Sequence, residues 1–115
     1  MTNQMTPSIA TVVRLLDILL GVRLTAKVAS AATEDEVTRW MQGERMSIEQ
    51  EARLRTAHQV SQVIAEREGP QVARAWMLGM NPQLDDENPI LCIAADRHHD
   101  VLLAARAYLK GDTFG

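Results

Sequence analysis

The chain has 115 residues and a formal net charge of −3, from 12 Lys and Arg against 15 Asp and Glu, room for one domain or two small interlocked units and not for a multidomain enzyme. Hydrophobic residues at 46% and charged residues at 23% predict a folded chain, and the acidic balance excludes indiscriminate nucleic-acid binding, which needs a broad basic field. Fifteen alanines and twelve leucines beside one Phe and one Tyr favour helices over sheets, so the expected fold class is all-α.

Residues 1–7 are polar, lack a periodic pattern and read as a flexible N-terminal arm. From Ser8, the apolar residues Ile9, Val12, Val13, Leu15, Leu16, Leu19 and Leu20 recur at steps of three and four until Gly21, which predicts a first helix. After a Val22-Arg23-Leu24 link, residues 25–32 suit a short second helix. Thr33 and Glu36 form a capping box that opens a third, carrying Val37, Trp40 and Met41 inward and ending at Gly43. Ser47 and Gln50 offer a second capping box before the stripe Leu54, Ala57, Val60, Ser61 and Ile64, a long helix from about 48 to 68. Gly69-Pro70 ends it, and Val72, Ala75, Trp76 and Leu78 are expected to share the inner face of the next helix, with Trp76 buried. The turn formers of 79–89 precede an apolar helix around Ile90, Leu91, Ile93 and Ala94. A last helix carries Val101, Leu102, Ala104, Ala105, Tyr108 and Leu109, for seven helices and no strand.

The second and third helices have the form of a helix-turn-helix, which assigns residues 8–47 to a DNA-binding region and 48–115 to the long helix and a C-terminal helical domain. Its candidate DNA-contacting residues are Thr33, Asp35, Thr38, Arg39, Gln42 and Arg45, because Arg, Gln and Thr can read base edges or phosphates. The competing reading is two packed helices with a solvated charged face. Residues 11–56 hold as many acids as bases, and Glu34, Asp35 and Glu36 would approach phosphates. Counted back from Val37 and Trp40, Lys27 falls where a small residue is expected and Ser30 where a large apolar one is.

Asp96, His98, His99 and Asp100 invite a metal reading, but adjacent histidines on a helix point apart, and a surface helix start is the better account. Cys92 sits in an apolar run, as an inert core thiol would, and cannot form an internal disulfide. No Gly-rich phosphate loop or activated nucleophile is present, so neither catalysis nor a cofactor or metal is expected. With no secretory n-region and no run of about 18 apolar residues, the expectation is a cytoplasmic protein without a membrane partner.

The segment LTAKVASAATEDEVTRWMQGERMSIEQEARL, then Ala75-Trp76 with Asn81-Pro82, Leu84, and Pro89 opening an apolar helix, resembles the Xre/MbcA/ParS-like antitoxins over about residues 10–115. The resemblance implies a bacterial type II antitoxin whose partner is a RES-domain toxin that destroys NAD. Such an antitoxin covers the toxin's active site and represses its own operon, as a homodimer or in a hetero-oligomer with the toxin. It implies a toxin contact at the C-terminal end: Arg106, Tyr108, Lys110, Asp112, Thr113, Phe114 and Gly115. A stand-alone helix-turn-helix transcriptional regulator without a toxin is the alternative, and an interaction module whose helix pair only packs or dimerises is a third.

Overall fold

The computed structural model describes residues 6–111, and these form seven α-helices with one 3-10 turn. The protein is all-helical, and among the described residues the only β-type pairing is an isolated bridge between Asn81 and Glu87. The helices are α1 (Ile9–Leu20), α2 (Val22–Ala29), α3 (Glu34–Met41), α4 (Ile48–Glu68), α5 (Pro70–Leu78), α6 (Pro89–Ala94) and α7 (His98–Leu109). The short 3-10 turn Pro82–Leu84 lies between α5 and α6.

Local chemistry sets most of these boundaries. The Ser8 hydroxyl accepts the Thr11 amide, and the Ser47 hydroxyl accepts the Gln50 amide at 3.0 Å while Gln50 Oε1 accepts the Ser47 amide at 3.1 Å. At α3 the Glu36 carboxylate reaches back to the amides of Ala32 and Thr33. Asn88 caps α6 through the Leu91 amide.

Two glycines make the sharp corners. Gly21 (φ 88°, ψ 165°) and Gly69 (φ 96°, ψ 160°) each donate backward to close one helix and accept forward to open the next. That backbone region is essentially reserved for glycine. A Cβ at either position would meet nothing within 4 Å, so the penalty of a side chain is conformational rather than steric. Gly69→Ala is therefore expected to lower the unfolding free energy by about 1–3 kcal/mol in urea titration. A neutral result would mean that the corner tolerates an ordinary residue.

The long helix α4 is the hub, packing against α1, α2, α5, α6 and α7. Its stripe Leu54, Ala57, Val60, Ser61 and Ile64 is buried as the periodicity predicts. A single hydrophobic core runs from Val12 on α1 to Ala105 on α7, and α2 reaches across it to α6. Six of its members are alanines: 26, 29, 57, 73, 104 and 105. Small side chains at helix contacts let backbones approach closely, so one long and six shorter helices fill a core with hardly any aromatic volume.

The structure departs from the periodic reading in four places. Helix α2 begins at Val22, directly behind Gly21, and stops at Ala29, where Ser30 turns left-handed at φ 56°. It buries Ala26, Val28 and Ala29, with Lys27 and Ser30 exposed, so alanines occupy the close approach that Lys27 would obstruct. On α5 the buried residues are Ala73 and Met77; Val72 and Trp76 lie half-buried at the edge, and Ala75 and Leu78 face outward. Leu91 points outward from α6 while Cys92 takes the core position. Leu15 is likewise exposed on α1, beside Ile18 at 81% exposure.

Candidate nucleic-acid and partner interfaces

Helix α3 rests on α1 and α2 through Val37 and Trp40, which are 0% and 2% exposed. That commitment turns the opposite face outward: Thr33, Asp35, Thr38, Arg39, Gln42 and Arg45 are all exposed. Arg39 donates to the Glu44 carboxylate at 3.0 Å, whereas Arg45 makes no ion pair among the described residues. The face thus presents two arginines, a glutamine and two threonines, with Glu34 and Asp35 at the positive end of the helix.

Of the residues assigned to a toxin contact, Asp112, Thr113, Phe114 and Gly115 lie outside the described residues. The other three do not share one surface. The Tyr108 ring is half-buried against Trp76, with centroids 6.3 Å apart. Arg106 and Lys110 instead border a groove between α7 and α4. That groove, of about 360 Å³, was not foreseen from the sequence. Its α4 side supplies Val63 and Arg67, which stand more than a helix away along the chain from Arg106.

A second groove, of about 480 Å³, runs between α1, α4 and α5, lined by Leu15, Ile18, Leu19, Ala65 and Pro70 with His58 at its side. The apolar residues of α1 that fall off its buried stripe were the available signal. Burial, reinforced by the nearby Arg55 guanidinium, holds the His58 imidazole below its ordinary range. The unfolded chain takes up this proton near pH 6.5, roughly, and the folded chain only at lower pH. Stability is therefore expected to fall as pH drops through about 6.5 toward the folded value, and His58→Gln should remove that part of the slope. Urea midpoints across the range measure it; an unchanged slope in the variant would assign the pH dependence elsewhere.

The acidic and histidine cluster at the start of α7 is occupied by structural contacts. Arg53 forms a two-point ion pair with Asp96 at 2.9 and 3.1 Å and also donates to the Ala29 carbonyl, joining α4, the end of α2 and the α6–α7 link. This hydrogen-bonded guanidinium holds the Asp96 carboxyl below the usual range. His98 Nδ1 lies 2.7 Å from the Thr56 hydroxyl, and Asp100 pairs with Arg97. Among the described residues no three His, Cys, Asp or Glu side chains converge in a way that would hold a metal ion. Burial pushes the Cys92 thiol up, away from the reactive thiolate.

Asn81, Pro82, Leu84 and Pro89, four of the residues that carry the antitoxin resemblance, build the α5–α6 connection. Asn81 Oδ1 accepts the Gln83 amide and opens the 3-10 turn at Pro82, Leu84 plugs the core at 0% exposure, and Pro89 starts α6. Comparison with protein families, with curated proteins and with solved structures returned no match. No helix among the described residues is long and apolar enough to cross a membrane.

Proposed function

We propose that this chain is the antitoxin of a bacterial type II toxin–antitoxin system, acting in the cytoplasm. Its C-terminal region covers the active site of a RES-domain toxin that degrades NAD, and α2 and α3 act as a helix-turn-helix that represses the operon. The toxin side rests on the resemblance, whose motif residues here order the link between α5 and α6. The DNA side is supported by α3: with Val37 and Trp40 committed to the core, the groove-reading positions Thr38, Arg39 and Gln42 all stand in solvent. The link of residues 30–33 is within the length usual for this motif. Paired half-sites call for a homodimer on the operator.

Arg39 can leave Glu44 for DNA at little cost, since an exposed pair of this kind is worth only about 0–1 kcal/mol. Arg39→Ala is expected to weaken binding to the DNA upstream of the gene by about 1–3 kcal/mol, with log affinity falling linearly with log salt. Gel-shift titration against upstream and unrelated DNA reads both effects. Equal affinity for the two would remove the repressor role and leave α3 a solvated helix. Operator binding in a chain that protects against no toxin would instead identify a stand-alone regulator.

A further inference from the structure

The groove between α4 and α7 departs from the charge balance of the chain. Acids outnumber bases in the sequence, yet every charged side chain lining this groove is a cation: Arg67, Arg106 and Lys110. Elsewhere Arg39, Arg53, Arg55 and Arg97 are each matched by a carboxylate, whereas Arg14, Arg23, Lys27, Arg45 and Arg74 form no ion pair among the described residues. Arg106 and Lys110 have no carboxylate partner among the described residues, and Arg67 donates one nitrogen to the Leu109 carbonyl and pairs with no carboxylate among them.

Between the cations, apart from the exposed amide of Gln59, the surface is apolar. Val60 and Ala105 form the floor, Leu102 and Leu109 are half-buried on one wall, and Val63 stands 40% exposed on the other. The volume is that of a small binding site. An apolar trough with a cationic rim is matched by the inverse pattern, large apolar side chains flanked by carboxylates. A phosphate backbone meets the rim but leaves the trough unfilled.

We infer that the α4–α7 groove docks a short acidic segment of a partner protein, one in which a Leu, Phe or similar anchor enters the trough while Asp or Glu side chains reach Arg67, Arg106 and Lys110. The apolar anchor supplies the affinity, and the charges supply orientation and encounter rate. Arg106 and Lys110 come from the proposed toxin surface, but Arg67 and Val63 extend it onto α4. The inference does not depend on the partner being a RES-domain toxin.

The test therefore uses no toxin. A phage-displayed library of random dodecapeptides is panned against the full chain, and the best-enriched peptide is synthesised with a fluorescent label. Selected peptides should be rich in Asp and Glu around an aromatic or branched aliphatic residue. The labelled peptide should bind less tightly as salt rises, and about tenfold or more less tightly to the double variant Arg106→Glu, Lys110→Glu. Both side chains are exposed, and circular dichroism with urea titration checks the fold; the milder pair Arg106→Gln, Lys110→Gln should show a smaller loss in the same direction. Peptides without acidic enrichment, or binding unaffected by these variants, would overturn the inference. So would a wild-type dimer in sedimentation that the double variant dissociates, which assigns the groove to a second copy. Tighter retention of duplex DNA or phosphatidylserine vesicles than of the peptide, abolished by the same variant, would equally overturn it.

Discussion

Trp40→Ala is expected to cost about 3–5 kcal/mol of unfolding free energy, the largest loss of any single truncation on α3. The indole is 2% exposed, and with Val37 it provides the buried contact of an eight-residue helix whose other side chains mostly face water. Such a helix has no independent stability, since isolated helices of this length are marginal in water. Removing the indole leaves a cavity over α1 and α2 that alanine cannot fill. For a domain with a total stability of about 5–15 kcal/mol, that is enough to unfold it or release α3 locally. Trp76→Ala should cost less, about 1–3 kcal/mol, because its ring is half-buried and its main aromatic neighbour is Tyr108. Urea unfolding of the two variants separates them; a Trp40→Ala cost below about 1 kcal/mol would mean that α3 is held by something other than its core face.

If the chain is the antitoxin proposed above, removal of residues 111–115 is expected to abolish protection against a RES-domain toxin without altering the helical fold. Among the described residues the last buried one is Ala105, and Leu109 closes α7. The segment holds the only Phe of the chain, two residues after an acidic residue, Asp112. An aromatic ring beside a carboxylate in a polar segment is suited to a pocket on a partner. Co-expression of the truncated chain with the toxin should restore growth arrest, while circular dichroism and operator binding stay as in the full chain. Full protection by the truncated chain would move the toxin contact onto Arg106 and Lys110.

How far the fold could be read beforehand depended on whether the deciding information was local. Helix α4 was legible at both ends and along its stripe, because a capping box, a Gly-Pro stop and a run of consistent periodicity all lie within the segment. Helix α5 was misread by part of a turn. Trp76 is larger than Ala73, and a pattern reading ranks side chains by size, whereas close contact with α4 selects the alanine. Leu15 and Leu91 sit next to equally apolar neighbours, and only the packing partner decides which of two adjacent residues turns inward. The outer face of α3 followed directly from the placing of Val37 and Trp40. The cationic groove did not, because it joins α4 to the end of α7 and no local pattern couples the two.

The assignment as an antitoxin meets its most direct test in one measurement: growth and cellular NAD in cells that express a RES-domain toxin encoded beside this gene, with and without the full chain. The account predicts that toxin alone depletes NAD and arrests growth, and that the full chain restores both while forming a complex that co-purifies with the toxin. Continued NAD loss and arrest in the presence of folded, abundant chain would contradict it.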